Sequence, residues 1–341
     1  MSIQVEDYFA RATFDKMKAF ADKQETPFVV IDTAMIAQAY DDLRAGFEFA
    51  KVYYAVKANP AVEIIDLLKD KGSSFDIASI YELDKVMDRG VSPDRISYGN
   101  TIKKSKDIRY FYEKGVRLFA TDSEADLRNI AKAAPGAKVY VRILTEGSTT
   151  ADWPLSRKFG CQTDMAMDLL ILARDLGLVP YGLSFHVGSQ QRDISVWDAA
   201  IAKVKVIFER LKEEDGIELK LINMGGGFPA NYITRTNSLE TYAEEIIRFL
   251  KEDFGDDLPE IILEPGRSLI ANAGILVSEV VLVARKSRTA VERWVYVDVG
   301  MFSGLIETMG EAIKFPLYTE KKGEMEEVVI AGPTCDSADI M

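Results

Sequence analysis

In VYYAVKANP (52–60), an apolar and aromatic run leads into Lys57, and small and turn-forming residues follow it. A lysine is rarely buried unless it is paired or chemically employed. Lys57 is either a strand end emerging into water or an amine held for Schiff-base chemistry. Other residues able to do chemistry also fall at the ends of apolar runs. They are Asp76 in SFDIAS, Arg142 in KVYVRIL, His186 in YGLSFHVGS, the glycines Gly225, Gly226 and Gly227 after LKLINM, and Glu264 with Arg267 in EPGR.

Singly, each has a plain structural explanation. Asp76 could cap a helix, Arg142 could close an ion pair, and a lone histidine is more often structural than catalytic. The glycine triplet could be a tight turn, and EPGR could be a local salt bridge. Taken together they are a chemical set. Glycines lacking Cβ let backbone N–H groups approach an anion, Ser189 adds a hydroxyl, and Arg267 can hold a phosphate. Glu264 can face a heteroaromatic nitrogen. A lysine, a phosphate cradle and a carboxylate for a ring nitrogen are the parts that hold pyridoxal phosphate. No GxGxxG follows the first strand and no Walker sequence occurs. One histidine cannot build a His-rich metal site.

Eight apolar runs carry these residues: VYYAVK (52–57), SFDIAS (74–79), RISYG (95–99), RLFATD (117–122), KVYVRIL (138–144), YGLSFHVGS (181–189), LKLINMGGG (219–227) and EIILEPG (260–266). Amphipathic segments such as AVEIIDLLKDKG and LETYAEEIIRFLKED lie between them. Strand–helix alternation of this kind predicts a parallel sheet. Eight units predict an α/β fold with a (β/α)8 barrel over residues 31–274, whose active site lies at the C-terminal strand ends. A doubly wound open sheet is the alternative. FVVID (28–32), ILVSEVVLVARK, RWVYVDVG and EEVVIAGP predict a second, all-β domain from residues 1–30 and 275–341.

Composition narrows the partners. The chain has 341 residues, 48% hydrophobic and 28% charged, as expected of a soluble globular protein. A net charge of -12 repels phosphate backbones and argues against nucleic acid. No uninterrupted apolar run of about 18 residues predicts a membrane span, and the start MSIQVEDYFARATFDK has no secretory h-region. Two cysteines, Cys161 and Cys335, make no disulfide framework, so a cytoplasmic location is expected. Cys161 reads as a small buried residue.

YAVKAN, FDIAS, PLSRKFG (154–160), FHVGSQ (185–190), GGGFP (225–229), EPGR and GPTCDSAD (332–339) occur in this order along nearly the whole chain. On these motifs the sequence resembles the barrel-type, alanine racemase-like pyridoxal-phosphate decarboxylases of basic amino acids, and most closely the ornithine decarboxylases. The resemblance implies that Lys57 is the Schiff-base lysine, that Glu264 keeps the ring nitrogen protonated, and that His186 stacks on the ring. It implies Asp76 and Arg142 beside the cofactor, and Ser189, Gly226, Gly227 and Arg267 on its phosphate. Cys335 would return a proton to the α-carbon, and Asp336 would bind the distal ammonium of the substrate. These two would act across a homodimer interface, in the partner's barrel. Glu311 stands where the family has an aspartate near the substrate, which implies some lysine decarboxylation to cadaverine beside conversion of ornithine to putrescine for polyamine synthesis. The family also continues past CDSAD for a few more strands, so the C-terminal part of the β domain is expected to be incomplete here. Diaminopimelate decarboxylase shares several of these motifs but carries CES where this chain has CDS. A catalytically dead relative acting as a regulator is the alternative from another class.

Overall fold

A computed structural model describes residues 4–145, 150–154 and 158–341. The chain divides into two units. One comprises Ile36–Pro229 and Asn237–Ile270; the other comprises the residues up to Met35, Ala230–Thr236 and Ala271–Met341.

The first strand of the chain, β1 (Phe28–Ile31), belongs to the second unit. The next eight are β2 (Ala50–Ala55), β3 (Ser74–Ile77), β4 (Ile96–Tyr98), β5 (Leu118–Thr121), β6 (Lys138–Arg142), β7 (Val179–Ser184), β8 (Leu221–Asn223) and β9 (Glu260–Leu263). They pair in parallel in sequence order, and β9 pairs with β2 to close a barrel. Each of the eight apolar runs supplies one strand, so the barrel is the expected one and the open sheet is excluded. The strands are near-continuous apolar runs because both faces of a parallel barrel are covered. Tyr53, Ala120, Tyr140, Leu221 and Ile262 pack together as one buried apolar cluster. The buried Tyr140 hydroxyl meets Ser97 Oγ at 2.8 Å, so burying this phenol does not leave it unpaired.

The helices between strands bury one face each. The helix Val62–Asp70 buries Ile64, Ile65 and Leu68, and Leu239–Phe254 buries Tyr242, Ala243, Ile246, Phe249 and Leu250. Their starts are set by capping. Ser238 Oγ accepts from Thr241 N at 3.2 Å. Ser79 Oγ and Glu82 Oε2 reciprocally take the N–H groups of Glu82 and Ala78. A buried charged pair also lies in the barrel unit: Lys103 Nζ donates to Asp126 Oδ2 at 2.7 Å and to the carbonyls of Asn100 and Ala120.

In the second unit β1 pairs antiparallel with β10 (Gly274–Val277), joining the two chain ends in one ribbon. A separate sheet orders β11 (Val280–Ala284), β12 (Arg293–Val297) and β13 (Val328–Ala331), antiparallel then parallel. The sheets are those expected, but the N-terminal segment also contributes a helix, α1 (Arg11–Ala21), which buries Phe14 and Met17 at i, i+3. Val280 to Val283 of β11 remain exposed.

Candidate active site

The rim at the C-terminal strand ends is built one strand at a time. After β2 the chain makes a single turn, Val56–Ala58, that carries Lys57. Tyr54 Oη donates to the Asn59 carbonyl at 2.9 Å, and Asn59 Oδ1 accepts from Ala61 N at 3.0 Å. These bonds clamp the turn from both sides. Gly266 packs so closely that a Cβ there would stand 2.9 Å from that of Ala58. Lys57 itself is exposed, an amine accessible to an incoming molecule.

Asp76, on β3, is its electrostatic neighbour. The Asp76 Oδ1 atom is sealed from solvent and has no hydrogen-bond partner among the described residues. Gly99, just past β4, makes room for it: a Cβ at Gly99 would fall 1.9 Å from Asp76 Oδ1. Burial pushes the Asp76 carboxyl well above the usual range and the Glu264 charge adds to that, while Lys57 and Arg142 oppose it. Glu264, following β9, is also raised by burial, against an amide bond from Asn223 and the charges of Lys57 and Arg142. Asn223 ends β8 fully buried, and it orients the acid. Its Oδ1 accepts from Gly225 N at 2.9 Å, so its Nδ2 must face Glu264 Oε1, 2.5 Å away.

His186, following β7, has its Nδ1 accepting from Gly188 N at 3.0 Å. A ring nitrogen that accepts carries no proton, so the neutral imidazole holds its proton on Nε2. Burial, then the charges of Arg142 and Lys57, hold its pKa well below the ordinary value, and it stays neutral. The three glycines fit against this ring and against Glu264. A Cβ at Gly226 would stand 2.7 Å from the Glu264 carbonyl oxygen and 3.4 Å from His186 Nε2. Gly225 and Gly227 have φ of +65° and +103°, which disfavour any side chain, and Gly227 backs onto the buried Trp197. Arg142, at the end of β6, loses basicity on burial against the supporting charges of Glu264 and Asp122, and its guanidinium carbon lies 5.2 Å from the Phe159 ring. Arg267 opens a short helix, Arg267–Ile270, and reaches Ser189 Oγ from Nη2 at 3.0 Å.

Lys57, Asp76, Arg142, His186 and Glu264, from five different strands, thus form one electrostatic cluster. Ser189 and Arg267 form a second polar pair, and the glycines border His186 and Glu264. Cys335, Asp336 and Glu311 belong to the other unit. Cys335 is exposed. Asp336 Oδ1 accepts from Ala338 N at 2.9 Å, an Asx turn within its own loop. Glu311 is exposed and paired with Lys314 Nζ at 2.7 Å. Cys161 is buried, and burial pushes its thiol up to about 12, which makes it unreactive. Of PLSRKFG, residues 155–157 lie outside the described residues.

Asn223 and Gly99 are parts of the site that the sequence did not single out. Asn223 had a signal, an amide at the last strand position before three glycines. Gly99 had none, because its neighbour Asp76 is 23 residues away.

These residues fit pyridoxal phosphate. The cluster offers a sealed carboxylate oxygen without a donor among the described residues, a second carboxylate oriented by an amide, a neutral imidazole fixed in tautomer, and an accessible amine. Ser189 and Arg267 supply a hydroxyl and a cation suited to a phosphate.

Comparison with known proteins agrees. Residues 33–271 match the family described as pyridoxal-dependent decarboxylase, pyridoxal binding domain. The lysine/ornithine decarboxylase of Selenomonas ruminantium is 32% identical over 332 residues, covering 97% of this chain and 83% of that protein. The structure of lysine decarboxylase from the same organism, in complex with pyridoxal phosphate and cadaverine, matches with a TM-score of 0.86 at 30% identity, over 100% of this chain and 84% of that one. The lysine/ornithine decarboxylase of Vibrio vulnificus complexed with putrescine matches with a TM-score of 0.85 at 28% identity, over 97% of this chain and 87% of that one. A buried acid pair, a neutral histidine and an open lysine on a closed barrel, together with these matches, place the chain in the family of pyridoxal-phosphate-dependent decarboxylases of basic amino acids.

Proposed function

We propose that this protein decarboxylates L-ornithine to putrescine, a precursor of polyamines, and L-lysine to cadaverine at a lower rate. The observation that carries the chemistry is the cluster of Lys57, Asp76, Arg142, His186 and Glu264 at one rim. When bound, pyridoxal phosphate supplies an aldehyde for the substrate amine and a ring that takes up the electron pair left as carbon dioxide departs. The chain's residues do the rest. Lys57, an exposed amine, would be the residue that holds the cofactor. Glu264, kept in place by Asn223, holds a proton at the ring nitrogen. Neutral His186, its Nδ1 held by Gly188 N, would pack against the bound cofactor and help to orient it. Asp76 and Arg142 complete the surroundings. Ser189, Gly226, Gly227 and Arg267 hold the phosphate.

Cys335 returns the proton to the α-carbon, and the Asp336 carboxylate pairs with the distal ammonium. Glu311 is the weaker determinant, because Lys314 already meets its charge. Cys335 and Asp336 serve the barrel of a second copy in a homodimer. The exposed apolar strand β11 supports a partner that covers this unit. The similar proteins named lysine/ornithine decarboxylase support the substrate class.

Carbon dioxide release from ornithine, lysine, arginine and meso-diaminopimelate tests the proposal directly. Ornithine should give the largest kcat/KM and lysine the next. A preference for meso-diaminopimelate would assign the protein to diaminopimelate decarboxylation, and release from none of them would make it an inactive relative.

A further inference from the structure

We infer that Asp339 is the residue that positions the loop carrying Cys335 and Asp336. Its importance to turnover rests on the roles proposed above for those two residues; the geometry stands without them. Asp339 is 2% exposed. Its two carboxylate oxygens hold two separate segments. Oδ1 accepts from Met301 N at 2.8 Å, at the turn that follows β12. Oδ2 accepts from Thr334 N at 3.1 Å and from Thr334 Oγ1 at 2.7 Å, and Thr334 is the residue before Cys335.

Two glycines make room for this carboxylate. A Cβ at Gly300 or at Gly332 would stand 2.3 Å from Asp339 Oδ1. Neither position demands a left-handed backbone; both demand an absent side chain. The loop is also closed through its backbone. Gly332 N donates to the Asp339 carbonyl at 2.9 Å, Asp339 N donates to the Asp336 carbonyl at 3.1 Å, and Ala331 and Ile340 form an antiparallel bridge. The segment from Gly332 to Asp339 is therefore a closed loop around one buried anion, with Cys335 and Asp336 exposed at its tip. Bonds to a charged acceptor are the strong ones, so the anion fixes the backbone just ahead of the thiol. Burial works against the charged form, but Thr334 and Met301 outweigh it and hold the Asp339 carboxyl below its ordinary range.

The test compares Asp339→Ala and Asp339→Asn with the wild-type holoenzyme. Amide hydrogen exchange at Met301 and Thr334 reports the latch, visible absorption reports cofactor loading, and kcat per loaded site reports alignment. We expect exchange at both amides to rise, kcat per loaded site for ornithine to fall about ten-fold or more in Asp339→Ala, and loading to stay unchanged. Asp339→Asn, which keeps one acceptor, should recover part of both. A purely structural role would lower the yield of folded enzyme and leave kcat per loaded site intact, and that result overturns the inference; so does unchanged exchange at Thr334. Should Asp339→Ala fail to fold, Thr334→Val removes only the hydroxyl arm and should still lower kcat several-fold; wild-type kcat there counts against positioning. Full activity in Cys335→Ala and Asp336→Asn, with exchange still raised in Asp339→Ala, would instead overturn the proposed roles of the loop and leave the latch standing.

Discussion

Asp76 and Asp339 are the same residue type in matched packing, each pressed against glycine backbone that leaves no room for a Cβ. They differ in what reaches their oxygens. Asp339 receives two backbone N–H groups and a hydroxyl. Asp76 has an oxygen sealed from water that receives no donor among the described residues. Their acidities diverge accordingly, Asp76 upward through burial and Glu264, Asp339 downward through its donors. A satisfied buried carboxylate holds structure. An unsatisfied one stores free energy that a bound molecule can release, as expected where a stable scaffold yields to a binding task.

The sharpest way to break this comparison is to ask whether the two regions serve one site. Lys57→Ala and Cys335→Ala should each be nearly inactive. Equal amounts allowed to exchange subunits should recover about a quarter of wild-type activity, because half the dimers are mixed and each mixed dimer has one intact site. Verified heterodimers without recovery would show that each site is built within one chain. Next in size, Glu264→Gln should keep its cofactor and lose roughly 10²–10⁴-fold in kcat, as an amide cannot hold the ring proton. Equal turnover would remove the buried acid pair from the chemistry. On the loop, Asp336→Asn should cost about 2–5 kcal/mol in kcat/KM for ornithine, by leaving a desolvated ammonium unpaired. A change within a few-fold would show that Asp336 does not bind the distal amine.

The smaller effects concern stability and have opposite signs. Asp339→Ala should lower the unfolding free energy by about 2–3 kcal/mol, through loss of charge-assisted bonds and stranding of their donors. Because the folded form holds Asp339 below its ordinary range, its contribution is complete above about pH 4 and fades as pH falls through the lowered value. Asp76→Asn should instead stabilise the cofactor-free protein at neutral pH by about 1 kcal/mol. A raised folded pKa means that the charge is a burden at neutral pH, relieved as the solution is acidified. Urea unfolding of the apoproteins across pH measures both, and equal signs would dissolve the contrast.

The barrel was legible because its strands are apolar runs that end on residues out of keeping with burial, Lys57, Asp76, Arg142, His186 and Glu264 among them. Position along a strand was enough to place them at one rim. The parts that escaped act through partners distant in sequence. Asn223 matters for the amide it turns toward Glu264, and Gly99 for the space it leaves Asp76. Asp339 sat inside a motif already singled out, yet its task depends on Met301 and Gly300, nearly forty residues earlier. Helix α1 escaped for another reason: its Phe14 and Met17 form only a narrow apolar stripe in a segment rich in charge. The Glu311–Lys314 pair was readable at i, i+3 spacing, and it weakens the case for Glu311 as a determinant of substrate.

Trp197, behind the third glycine, offers a built-in optical reporter. Its indole is fully buried, 5.4 Å from Phe228 and 5.8 Å from Tyr242 between ring centres. Held dry and rigid, it should fluoresce at short wavelength, and bound pyridoxal phosphate absorbs in the region where such an indole emits. Loading of the cofactor at the adjacent glycines would therefore register as dimming of that light through energy transfer. Occupancy could then be followed in real time in any of the variants above, including those that no longer turn over.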